Sequence, residues 1–187
     1  MAKVVGEAKT VLVVEDDPYV LSFMESSLSL AGFRVLSAHD TGQARDWCRK
    51  ERFATFWAVL SDYRLPGDTG IDLLKWIREE DPTLATLVIT GQGEKSIVED
   101  SLKVGAFKYL EKPVTHRELK KAIEEAVEHT RRQRQSEVDR RELEHLEQFD
   151  QRMSAVVPAG LKERVRLFYQ PLHEVGGDLF ICHSYSP

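Results

Sequence analysis

Glu15, Asp16, Asp62, Thr90 and Lys112 share one circumstance: each stands at or just past the end of a short apolar run, namely TVLVV, FWAVLS, ATLVIT or AFKYL. A lone aspartate after an apolar run has a bland use, since its side-chain oxygens cap the turn or helix that follows. As a group, the five residues make a chemical statement. Three carboxylates held within ~5 Å repel by roughly 3 kcal/mol per pair at an effective dielectric of ~20. Such crowding calls for a cation. A hard divalent ion with oxygen ligands suits it, and Mg²⁺, which keeps several waters and takes carboxylates together with a phosphate oxygen, suits it best. Lys112 adds a second positive charge and Thr90 a hydroxyl donor. The partner such a site lacks is a phosphoryl group, which Asp62 could accept as a nucleophile while cation and lysine neutralise the equatorial oxygens.

That chemistry requires elements able to bring the run ends together. From about Thr10 to His129, short apolar segments (TVLVV, FRVLS, FWAVLS, ATLVIT, AFKYL) alternate with longer amphipathic ones. Five strand-helix units predict an α/β fold, a doubly wound five-stranded parallel sheet. In such sheets, ligands bind beyond the carboxyl ends of the strands, near the point where strand order reverses. The five residues fall at those ends. Helix starts agree: Asp17 precedes Pro18, and Asp40 with Gln43 and Thr115 with Glu118 have capping-box spacing.

Composition narrows the class. The chain has 187 residues, 42% of them hydrophobic, and a net charge of −5. That is enough for one domain with an appendage or two small ones. No apolar run reaches the ~18 to 20 residues of a membrane span and the N-terminus lacks a secretory core, so the expected location is the cytoplasm. Cys48 and Cys182 have no metal-ligand spacing and are expected as free thiols. The acidic balance argues against chain-wide attraction to nucleic acid. The basic cluster RRQRQ is followed by EVDRRELEHLE, a mixture expected of a solvated helix face.

Nothing interrupts the last amphipathic segment between His116 and Pro158, so one long helix is predicted. Leu119, Ile123, Ala126 and Val127 share a face. The pattern then turns polar through Gln135 and resumes with Val138, Leu143, Leu146, Phe149 and Met153. This stretch is either a solvated linker or half of a two-stranded coil with a second copy of the chain. After Met153 the composition changes to strand-like pieces behind a Pro-Gly breaker, too short a tail to bury a core alone.

The segments VVEDD, SDYRLPGDTGIDLL, VITGQG and YLEKP, in this order, resemble the receiver domain of two-component response regulators over about Lys9 to His129. The resemblance implies a flavodoxin-like fold that catalyses its own phosphorylation on Asp62, with a sensor histidine kinase or phosphotransfer protein as donor. By it, Asp16 is a direct Mg²⁺ (or Mn²⁺) ligand, Glu15 acts through water, and the backbone carbonyl of Arg64 is a further ligand. Thr90 and Tyr109 form a switch pair, Lys112 reaches the phosphoryl group, Lys112-Pro113 is cis, and Arg64 and Gln92 tune the phosphoryl lifetime. None of these residues is missing, which speaks against a folded but unphosphorylated relative. The tail motif FYQPLHEVGGD resembles the opening of PPM-type (SpoIIE-like) serine/threonine phosphatase domains, with Asp178 as a metal ligand. The implied organisation is a receiver at 9–129, a helical linker at 130–153 and an incomplete phosphatase-like output domain at 154–187. A phosphoprotein would then be the downstream target, and Mn²⁺ or Mg²⁺ a cofactor of the complete output domain. Two alternatives stay open: a receiver acting as an adaptor or dimerisation switch, and a DNA-binding regulator.

Overall fold

The computed structural model describes residues 8–91, 105–156, 165–171 and 178–184, with side chains to residue 148. The described elements are β1 (Thr10–Val14), α1 (Pro18–Leu30), β2 (Arg34–Ala38), α2 (Thr41–Glu51), β3 (Phe56–Asp62), α3 (Gly70–Glu80), β4 (Thr86–Thr90), β5 (Lys108–Glu111), α4 (His116–Val156), β6 (Val165–Pro171) and β7 (Asp178–Ser184). The chain divides into two compact units, 1–134 and 135–187.

In the first unit, five parallel strands lie in the order β2-β1-β3-β4-β5. This is the doubly wound, flavodoxin-like arrangement expected, with its order reversing between β1 and β3. Both faces are covered, so β1, β3 and β4 read as nearly continuous apolar runs. Val11, Val13, Leu60, Leu87 and Ile89 pack against Leu21, Met24 and Leu28 of α1 and Leu119, Ile123 and Ala126 of α4. The opposite-facing Leu12, Val14 and Val59 meet Ala44 and Cys48 of α2 and Leu73 and Ile77 of α3. Burial pushes the Cys48 thiol up to about 12. Strand bounds depart from the sequence reading by a residue or two; the helical pattern expected after β4 lies outside the described residues.

Helix starts follow their capping side chains. Asp17 accepts from the backbone N–H of Tyr19 at 2.8 Å and of Val20 at 3.2 Å, ahead of Pro18 in the first turn. Asp40 accepts from Gln43 N–H at 2.8 Å, while the Gln43 side-chain oxygen Oε1 accepts from the His39 N–H at 3.1 Å, one residue earlier than the capping-box pattern places it. Thr115 and Glu118 form the expected reciprocal pair. A further capping box, Thr69 with Asp72, opens α3.

The long helix runs unbroken for 41 residues. Val138 and Leu143, beyond the first unit, are exposed. In the second unit β6 and β7 form an antiparallel hairpin in which Pro171 pairs with Asp178. Among the described residues no helix is long and apolar enough to cross a membrane.

Candidate functional site

Parallel pairing dictates which strand ends meet. β1 and β3 are neighbours in a register that pairs Val14 with Ser61, so Glu15 and Asp62 emerge side by side at the same sheet edge. Carboxylate oxygens of Glu15, Asp16 and Asp62 all lie within 4.8 Å of one another. Glu15 is 1% and Asp62 7% exposed, whereas Asp16 faces solvent. From the end of β5, Lys112 donates to Glu15 Oε2 at 2.6 Å and to Asp62 Oδ2. Its own backbone N–H is held by the Thr90 carbonyl at 2.7 Å, which ties β5 to the end of β4. The Lys112-Pro113 bond is cis, as the resemblance implies.

The electrostatics are unbalanced. Three carboxylates face one ammonium, a formal excess of two negative charges. Burial raises the Glu15 carboxyl above its ordinary range; the hydrogen bond from Lys112 pulls it back and the Asp62 charge pushes it further up. Burial also works against the Lys112 charge, but its bonds to Asp62 and Glu15 together outweigh that, holding the ammonium above its ordinary value. An all-oxygen donor set with surplus negative charge and one solvent-facing side fits a hard divalent cation. Glu15, Asp16 and Asp62 are the side chains that could hold it; its presence would relieve the crowding that Lys112 offsets only in part.

The loop after β3 completes the surroundings. Arg64 N–H donates to Asp62 Oδ1 at 3.1 Å, so Arg64 lies beside the acidic cluster. The loop returns on itself through Gly70 N–H to the Tyr63 carbonyl at 2.9 Å. A Cβ at position 70 would fall 2.0 Å from the Asp62 carbonyl oxygen, so only glycine allows this approach. Thr90 is buried. Tyr109 is half-buried on the adjacent strand, where Val88 pairs with Tyr109 and Thr90 with Glu111; Thr90 and Tyr109 therefore project from the same face of the sheet. Burial, then the charge of Glu111, raises the Tyr109 hydroxyl. Gln92 lies outside the described residues, and Asp178 begins β7 in the second unit.

Two residues in the polar stretch of α4 do more than the sequence pattern suggests. Arg131 and Arg132 are exposed and flank Glu128, as a solvated face should. Arg134 instead turns inward, donating to the carbonyls of Phe53, Ala54 and Phe56, to Asp81 Oδ2 at 3.1 Å and to Thr83 Oγ1. Fully buried Thr130 accepts from Ala85 N–H at 2.9 Å and donates to the Trp57 carbonyl at 2.8 Å. Both continue the 119–123–126–127 stripe, Thr130 three residues past Val127 and Arg134 four past Thr130, and their inward direction could have been read from it.

A doubly wound parallel sheet with a cation-ready acidic cluster and a lysine at its carboxyl edge defines the class. The chain matches the response regulator receiver domain over residues 11–124 and belongs to that family. Receiver domains of two-component systems are phosphorylated by histidine kinases, bind Mg²⁺ at an acidic pocket and often dimerise. The chain is 33% identical over 168 residues to the phosphoglycerate transport system transcriptional regulatory protein PgtA of Salmonella typhimurium, covering 89% of this chain and 37% of that one. A cyclic di-GMP phosphodiesterase of Thermotoga maritima is 31% identical over 118 residues, 63% of this chain and 31% of its own length. The crystal structure of a response regulator receiver domain protein from Clostridium thermocellum superimposes with a TM-score of 0.61 at 30% identity, covering 65% of this chain and 96% of that one. The chain thus spans about a third of the length of these two curated relatives.

Proposed function

We propose that Asp62 accepts a phosphoryl group from a phosphohistidine of a sensor kinase or phosphotransfer protein. The observation that carries this reading is the convergence of Asp62, Glu15 and Lys112 from three strand ends onto one buried cluster. An Asp62 carboxylate oxygen forms the new bond to phosphorus as the P–N bond to the donor breaks. The electron pair stays on the imidazole, which takes a proton from water. Lys112 is placed to neutralise charge growing on the phosphoryl oxygens, and Thr90 to donate its hydroxyl to one of them. Glu15, Asp16, Asp62 and the Arg64 carbonyl would hold Mg²⁺ or Mn²⁺, which supplies charge neutralisation when bound. Tyr109, on the same face as Thr90, is the second half of the switch. An apolar groove of Tyr19, Val20, Phe23, Pro113 and Val114 opens beside Lys112 and supports docking of the phosphodonor next to Asp62.

Organisation follows as a proposal: receiver at 9–129, helical linker at 130–153, and the start of an output domain at 154–187. The motif FYQPLHEVGGD supports a PPM-type phosphatase output, with Asp178 as a metal ligand and a phosphoprotein as target. Exposed Val138 and Leu143 support pairing of the linker with a second copy. The likeness to PgtA, a transcriptional regulatory protein, favours a second reading, a gene-regulatory output.

Intact-mass measurement after incubation with Mg²⁺ and acetyl phosphate tests the central claim. One phosphoryl adduct is expected on the wild type and none on Asp62→Asn. No adduct on a wild type that binds Mg²⁺ overturns it.

A further inference from the structure

Resting on that reading, we infer that Arg45 of α2 is a positioning residue for the cation site, acting through Asp68 on the loop that carries Arg64. Residues 64–69 are closed at their base by two backbone bonds, Tyr63 N–H to the Ile89 carbonyl at 2.8 Å and Gly70 N–H to the Tyr63 carbonyl at 2.9 Å. Their outer arm contains Gly67 at φ +87°, a conformation that leaves the backbone little side-chain restraint of its own. Leu65 packs against the α2/α3 core, and Asp68 reaches across to α2. There Asp68 Oδ2 accepts from Arg45 at 3.0 Å and, more weakly, from Thr41 Oγ1 at 3.4 Å. The Arg45 guanidinium is stacked over the Trp76 ring of α3 at 5.7 Å, so it is braced from behind.

Among the described residues, the buried Nε–H of Arg45 has no hydrogen-bond partner. An N–H left desolvated and unpaired subtracts from what the pair contributes to stability. The ion pair itself is partly exposed, with side chains 28% and 49% accessible. Such pairs contribute little to global stability. What the pair does contribute is location: it fixes the far arm of a loop whose near arm places the Arg64 backbone beside Asp62. Outer residues that orient ligands typically matter more for metal affinity than for folding.

The test is Mg²⁺ titration by calorimetry on the full chain, alongside urea unfolding without metal. Arg45→Met and Asp68→Asn are each expected to bind Mg²⁺ about tenfold more weakly, the lower end of the range for lost outer-shell partners. Their unfolding midpoints should stay close to wild type, because the pair is partly exposed. The double exchange Arg45→Asp with Asp68→Arg should recover affinity relative to either single exchange. Unchanged affinity in Arg45→Met and Asp68→Asn overturns the inference, as does a loss of affinity that merely tracks a lower midpoint. A wild type that binds no Mg²⁺ overturns the metal reading itself, a separately recognisable result.

Discussion

The two edges of the parallel sheet handle charge in opposite ways. At the amino edge, Arg134 meets three carbonyls, a hydroxyl and the Asp81 carboxylate, and Thr130 uses its hydroxyl as both donor and acceptor. Arg134 and Asp81 there are each other's counterpart. At the carboxyl edge, Glu15 and Asp62 share one Lys112, and Asp16 stands beside them. A balanced polar network has nothing left to bind and can only hold; an unbalanced one spends stability to keep affinity for something outside the chain. The same fold thus anchors at one end and stays open to a cation at the other.

The sharpest way to break this contrast is Arg134→Ala. Asp81, 15% exposed at its side chain, would lose its cation and three carbonyls their donor. A loss of about 3 kcal/mol is expected, from the partly buried pair together with three carbonyls left without their charged donor, measured by urea unfolding at pH 7. Mg²⁺ affinity should not change. If the variant unfolds at the wild-type midpoint, the amino edge is not an anchor.

Next in size is the effect of the cation. Mg²⁺ at a hundred times its dissociation constant should stabilise the wild type by about 2.7 kcal/mol. Asp62→Asn should show a much smaller gain in the same melts. Equal gains would place the metal elsewhere.

Smaller still is Glu15→Gln. Without metal it relieves the crowding at the carboxyl edge and should raise the unfolding midpoint, while reducing the gain from Mg²⁺. A lower midpoint in metal-free buffer would mean that Lys112 alone balances the cluster.

The smallest effect concerns His129, which stacks on Phe107 with ring centroids 4.6 Å apart. Burial, then the charge of Arg132, lowers its imidazole below the ordinary value. A lowered native value means that the unfolded chain takes the proton first. Stability is therefore intact above the unfolded value, ~6.5, and declines as pH falls from there through the native one. His129→Gln should flatten that slope in pH-dependent melts, without altering Mg²⁺ binding at pH 7.

The carboxyl edge was legible in the sequence because strand ends in an open parallel sheet converge by rule. Once TVLVV, FWAVLS and AFKYL are read as strands, Glu15, Asp62 and Lys112 must approach each other. The amino edge was legible only in part. Arg134 lies in a run of basic residues of which Arg131 and Arg132 are solvated; helical phase, four residues past buried Thr130 and seven past Val127, turns it inward, but no local pattern names the carbonyls and the Asp81 carboxylate it meets. The Asp68–Arg45 pair was hidden for a related reason. It joins a loop to a helix earlier in the chain, and no periodicity encodes that distance. The box of Thr69 and Asp72 escaped notice because Asp, not Glu or Gln, stands at its third position.

The cations lying over aromatic rings have an optical consequence. The chain has three tryptophans, and none is among the residues gathered around Asp62. Trp57 lies between Lys9 at 5.2 Å and Arg134 at 5.4 Å, and Trp76 beneath Arg45 and Arg49 at 5.7 and 5.9 Å. Their emission therefore samples the amino edge and the α2/α3 layer rather than the acidic cluster. A fluorescence change on adding a phosphodonor would report structural rearrangement carried away from the reacting atoms, not quenching at them.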